Sequence, residues 1–475
     1  MRHRSLWLNG AVLVFLSSLG LSWLTQGKGL TQNDPKKHHA IPAQLTVPFQ
    51  VQAAYNGQDV AFRYRWPSPK PGIFHDMLKY EGGKWVVKGS AVPGSEPNGL
   101  HEDRVAMMLD DGSVPEFSRY GGYVAIGNRL AGMSDEVSGK DIAAHPYLGG
   151  KLKQDEPTKY LPATRKSIND WSSVVPEDEL KAQRAAGYFL DLWHWRAGRS
   201  NPVNLSDDQL VAEARLSDTG KGMYATNWDG EKKQPRLMFD QAKAGHTALK
   251  WDDVVGGRIA QDSNHALRED IAAPFNPAAT WKEGDTIPRR ILRPADGSRA
   301  DIKVVGKAKW DNGFWDVTLT RKMDTSAPLE DKILRDRGVY SVAFAIHRQA
   351  TGGRWHYVSL PVSVGLGRDA DITAERYTGD TPTWTQPAKT MTLFYPGQVT
   401  WAHVNSARHA GADKVKAGVP VKFRHTEAEL ANYGVELEFN DTIYRQWQLT
   451  MLLGALLIAA FGYAINATLN RRTGA

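Results

Sequence analysis

The chain has no cysteine, so metal or redox chemistry must rest on its histidine, methionine and carboxylate side chains. That excludes a cysteine-ligated iron–sulfur cluster, a thiolate zinc site and a haem tethered through thioethers. There is no nucleophile elbow, no His-Glu-x-x-His and no phosphate-cradling glycine loop. Carboxylates are plentiful, but no acid/base pair stands out, so the sequence points away from an enzyme. Three histidines have informative surroundings. His356 shares strand parity with Val358 and Leu360 in Trp355-His356-Tyr357-Val358-Ser359-Leu360, which sends its ring to their apolar face. Trp355 and Tyr357 then line the other face. His347 is opposite in parity to Val342, Phe344 and Ile346 and faces away from their core. His75 stands beside Asp76, and a carboxylate neighbour can orient an imidazole. Each ring also has a plainer use, as a core or loop histidine bonded to a backbone carbonyl.

Strands are the elements that must position these rings. Val60 to Trp66 alternates large apolar with small or charged side chains, the period-2 signature of a half-buried strand. Trp85-Val86-Val87 follows a Gly82-Gly83 turn, and Val105 to Leu109 stops at Asp110-Asp111-Gly112. Further strands are expected at Phe189 to Trp195, Ile302 to Trp310, Trp315 to Thr320, Val339 to Ile346 and Trp355 to Val364. Asp311-Asn312-Gly313 and Thr351-Gly352-Gly353 read as hairpin turn signals. Residues 112–185 read as a long irregular insertion with short helices. Many short strands joined by such turns predict a mainly β protein, an antiparallel β-sandwich. Its limits are set at 49–384, followed by a membrane-proximal segment over 385–446.

Both ends carry apolar runs. Leu6 to Leu24 follows Arg2 and Arg4, the form of an export signal or signal anchor over residues 1–29, with a linker over 30–48. Leu449 to Ile465 has no charge and is followed by Arg471 and Arg472. A bilayer core needs ~20 helical residues, with ~17 at the short limit. A transmembrane helix is expected over 447–467, with a cytoplasmic tail over 468–475. The bulk then lies in the periplasm on a single-pass inner-membrane anchor. Lys and Arg (59) outnumber Asp and Glu (52), but the two signs are interspersed. No dense basic run suggests nucleic acid; the bilayer is the expected anionic neighbour.

Several stretches resemble the haem-binding domain family of the ethylbenzene dehydrogenase gamma subunit, also described as dimethyl-sulfide-dehydrogenase-like or cytochrome c-552 and DMSO reductase-like. They are Pro71 to Asp76 with Gly83-Lys84-Trp85, then Glu102 to Met108, then Asp191 to Ala197 with Asp207-Asp208. Ala343 to His347 and His356 to Pro361 complete the order. The resemblance implies a sandwich similar to carbohydrate-binding modules and one non-covalent haem b for electron transfer. In the resembled subunit a methionine and a late-strand lysine hold the iron; here His356 stands on the matching strand. Met133 is the first candidate for the second ligand, with His75, Met107 and Met108 as alternatives. His347, Trp193 and Trp195 are expected around the cofactor.

Two stretches resemble places where related cytochromes carry c-type haem: Tyr120 to Asn128 and His409 to His425. Val421 and Arg424 stand where cysteines would be, so no c-type haem is expected. The expected function is an anchored periplasmic haem b protein passing electrons to a redox partner or oxidoreductase subunit. The alternatives are a haem-free β-sandwich module for carbohydrate or another ligand, and an assembly subunit of a cytochrome complex.

Overall fold

A computed structural model describes residues 9–10, 12–18, 46–89, 100–125, 139–154, 160–167, 170–348, 356–394 and 435–470. Thirteen strands are enough to place the site: β1 Thr46–Tyr55, β2 Asp59–Pro67, β3 Met77–Glu81, β4 Lys84–Lys88, β5 Arg104–Asp110, β6 Leu190–Arg196 and β7 Asp207–Val211. They continue with β8 Phe314–Lys322, β9 Val339–His347, β10 Tyr357–Val358, β11 Val362–Leu366, β12 Ile372–Arg376 and β13 Lys389–Phe394. Along the main sheet the order is β8-β2-β1-β12-β11-β9-β5-β6-β7. Pairing is antiparallel except at β1–β12 and β11–β12.

This sheet folds over on itself, so that β8-β2-β1 packs against β9-β5-β6. Every second side chain points into the gap. Phe49 meets Phe344 with ring centroids 5.2 Å apart, and Phe62 meets the edge of Trp193 at 5.5 Å. Trp195 contacts both Trp66 and Trp315. The Trp315 indole donates to Asp103 at 2.7 Å, which satisfies the polar handle of a fully buried ring. The expected sandwich is what this chain forms.

Some elements differ from the sequence reading. Ile302 to Trp310 is not one strand: only Lys303–Val304 and Lys309–Asp311 pair with β8, with Gly306 at φ 67° between them. Trp355 to Val364 is likewise broken; β10 and β11 flank Pro361, which has no N–H for a ladder. The sandwich also runs past residue 384, because β13 pairs along β1 from Thr46–Phe394 to Val51–Lys389. Within 112–185 the described residues form short helices, as expected.

Residues 44–425 make one compact unit; residues 1–43 and 426–475 make another. In the second, a helix α1, Val435–Asn470, contains one stretch, Gln448–Thr468, long and apolar enough to cross a membrane. Leu449, Leu452, Leu456 and Ile458 are exposed on it.

Candidate functional site

Strand alternation sorts β5, β6 and β7 into two sets of side chains. Asp191, Trp193 and Trp195 go inward on β6, while His194 and Arg196 go to the other face. Register then aligns His347 with Arg104, and Arg104 with Arg196, across β9, β5 and β6. Loops cover this outer face. Gly198 approaches so closely that its amide donates to Glu102 at 2.8 Å, and an added Cβ would lie 2.7 Å from the Ile73 carbonyl oxygen.

Four histidines form a row on this face. The centroids of His75 and His101 are 4.8 Å apart, those of His101 and His347 5.6 Å, and those of His347 and His356 5.1 Å. His347 and His356 are 8% and 6% exposed. They meet because Ile346 pairs with Tyr357, so the next step of the ladder sets the two histidines opposite each other.

Arg104 donates to His101 Nε2 at 2.7 Å, which makes that nitrogen the acceptor and puts the ring's proton on Nδ1. The Nδ1 atoms of His75 and His101 are buried without a hydrogen-bond partner among the described residues. Burial first, then Arg199 and Arg104, push the His75 pKa well down; burial, Arg104 and Arg199 do the same to His101. Both rings are neutral at ordinary pH, the form that ligates metals.

Six arginines surround the row and share three carboxylates. Arg104 and Arg199 both pair with Glu102, Arg196 and Arg299 with Asp207, and Arg289 and Arg290 with Asp76. Burial works against ionised Glu102 and Asp207, but the arginines hold both below the usual carboxylate range.

The opposite face carries the reverse arrangement. Arg321, fully buried, donates to Asp191 at 2.6 Å, Asp331 at 2.5 Å and Asp208 at 3.3 Å. Oxygens of these three carboxylates lie within 4.8 Å of one another, a spacing that suits a metal ion. Arg321 already supplies a cation there and bonds all three.

The row unites three of the sequence-nominated residues: His75, His347 and His356. His356 keeps the parity with Val358 read from the sequence, and because Ala345 pairs with Val358, that face is the one His347 takes, opposite Phe344 and Ile346. Parity along one strand carries no information about register with its neighbour. Trp193 and Trp195 both lie in the sandwich interior, on the face opposite the row. Met107 is also interior, where the Tyr64 hydroxyl meets its sulfur at 3.4 Å. Met133 and Trp355 lie outside the described residues. His101 and the arginines were missed, although His101 immediately precedes the Glu102 to Met108 stretch and Arg196 lies within Asp191 to Ala197.

As a test for haem, the donor set fits: neutral imidazoles suit iron, and guanidiniums suit propionate carboxylates. The rings are in contact, so an iron placed between neighbouring rings would require them to part.

Fold and site together define a β-sandwich whose outer face carries a row of histidines flanked by arginines. The chain belongs to the ethylbenzene dehydrogenase family, whose model matches residues 26–359. It is also similar to cytochrome c-552 of Stutzerimonas stutzeri, 36% identical over 84 residues. That match covers 18% of this chain and 28% of the cytochrome.

Proposed function

We propose that this chain is a membrane-anchored haem b subunit that passes electrons within an oxidoreductase system outside the cytoplasm. The observation that carries the reading is the buried histidine row, which ends at His356 on the strand that family resemblance nominates. Family membership and the cytochrome likeness support an electron-transfer role. Absence of cysteine requires any haem to be non-covalent. When bound, haem supplies one-electron exchange. The protein's own residues do the rest. His356 would hold the haem iron through its imidazole. His347 packs on it and limits its rotation. The arginines offset carboxylate charge, and burial keeps water from the ligand. Met133 remains the candidate for the second ligand. His75 cannot easily join His356 on one iron, since the rings of His101 and His347 stand between them. The Gln448–Thr468 stretch is the anchor, with Arg471 and Arg472 on the cytoplasmic side.

The test is the full chain purified in detergent. A Soret band and complete acid–acetone extraction of the pigment are expected. His356→Ala should abolish or greatly weaken haem binding and leave the sandwich folded by circular dichroism. Full haem content and an unchanged low-spin spectrum in that variant would overturn the ligand assignment. No Soret band in the unmutated protein, even after haem is added, would overturn the function.

A further inference from the structure

Beside His75 the outer face opens into a cleft lined by Phe74, His75, Gly198, Arg199, His265 and Arg290, among others. Its inner volume is about 20 Å³. On this measure one water needs ~10–15 Å³, so the cleft admits a group of a few atoms and not a porphyrin. Phe74, Met77 and Leu267 give it apolar walls, which keep the effective dielectric low and strengthen any charge interaction inside.

Three buried polar atoms of the lining residues have no hydrogen-bond partner among the described residues: His75 Nδ1, His265 Nε2 and Arg290 Nε. His75 Nε2 lies 3.5 Å from Asp76, too far for a good hydrogen bond, so its proton is free to sit on Nδ1. Arg290 is 3.8 Å from Asp76, a carboxylate it shares with the closer Arg289. Arg199 likewise shares Glu102 with Arg104. The two cleft arginines therefore have only part of a counter-charge each. The local field is positive: burial pushes the Tyr224 phenol up, yet Arg196 and Arg199 hold its pKa below the usual value. Excess carboxylates in a buried site can take up protons. Excess arginines cannot release theirs at any ordinary pH, so the charge that lies out of reach of water favours an anion.

We propose that this cleft binds an oxyanion group, held by Arg290, Arg199 and the Nδ1–H of His75 against an apolar wall. The group comes either from a small free anion or from a carboxylate arm of a larger bound molecule, a haem propionate included. The proposal goes beyond the haem reading and does not depend on it.

The experiment uses the haem-free full chain in detergent, with thermal unfolding followed at fixed ionic strength. Acetate and inorganic phosphate are titrated against chloride, because a ligand specific to the folded state raises the midpoint with concentration. Both probes should stabilise the unmutated protein, with a saturable dependence. Arg290→Gln keeps a partly exposed residue polar and should weaken the apparent affinity by about tenfold or more, because a charge-assisted bond is lost. Asp76→Asn should strengthen it, since it removes the competing carboxylate; asparagine tolerates the positive φ of 49° found there. Equal midpoints in acetate, phosphate and chloride would overturn the proposal, as would an Arg290→Gln variant that responds like the unmutated protein. The two sources separate in haem-loaded protein: loss of the acetate response assigns the cleft to a propionate, and its retention assigns it to a free anion. A protein that gains no Soret band even after haem is added, yet still shows the acetate response, would end the haem reading and leave this one standing.

Discussion

Two ionic clusters, one fully buried and one partly exposed, lie on opposite faces of the same strands, with opposite imbalances. Around Arg321, one guanidinium serves Asp191, Asp208 and Asp331, and the buried Asp218 lies nearby with both oxygens unpartnered among the described residues. Around the histidine row, six guanidiniums share Glu102, Asp207 and Asp76. Asp207 and Asp208 are neighbours on β7, and alternation alone sends one to each cluster. The acidic cluster relieves its excess by protonation. Burial, then the neighbouring carboxylates, push Asp218 up to about 9 and Asp331 up to about 7, and Asp208 is raised as well. The basic cluster has no such outlet, because arginine does not deprotonate. The acidic cluster is thus self-contained, and the basic one calls for an anion.

The sharpest way to break this comparison is to remove the one irreplaceable cation. Arg321→Met should destabilise the sandwich by about 3–5 kcal/mol, the usual cost of stranding buried charge. Urea unfolding of the full chain in detergent measures it. A loss under about 1 kcal/mol, the level of an exposed pair, would show that the carboxylates do not rely on Arg321. The loss should shrink at pH 5, where Asp331 takes up a proton.

A smaller effect follows from pH. Asp218 and Asp331 have folded pKa values above the unfolded aspartate value of about 3.9. The folded state therefore binds more protons between the two values, and stability falls as pH rises through that window. Protonation of Asp331 contributes fully below pH 4 and is lost by about 7; that of Asp218 is lost by about 9. Each full proton gives a slope of at most about 1.4 kcal/mol per pH unit. Asp218→Asn should flatten the curve between pH 7 and 9, and an unchanged slope there would remove Asp218 from the cluster.

The smallest effect belongs to the basic side. Arg299→Met leaves Asp207 paired with Arg196 at 2.6 Å, so it should cost under about 1 kcal/mol, as for a partly exposed pair. A cost comparable to that of Arg321→Met would mean that the six arginines are not in excess, and the contrast between the clusters would collapse.

Much of the scaffold was legible because β structure writes a period of two into the chain. Val60 to Trp66, Val105 to Leu109 and Val339 to Ile346 all fall within observed strands. Errors came where a single residue interrupts a ladder, at Gly306 and Pro361, and where β13 continues the sandwich after a turn-rich stretch. The site was only partly legible. His75, His347 and His356 drew notice from local surroundings, while His101 did not. Trp193 and Trp195 were taken for cofactor contacts because large aromatic rings suit a flat ligand and a packed core equally well.

By itself the sequence determined the absence of thioether chemistry, the mainly β architecture, the apolar stretch in α1 and the order of family motifs. These depend on composition or on residues within a few positions of one another. Only the tertiary structure decided that positions 75, 101, 347 and 356 form one row. It alone decided that Arg321 closes a cage with Asp191, Asp208 and Asp331. Alternation tells which face a side chain takes, but register between strands distant in sequence decides what it meets there.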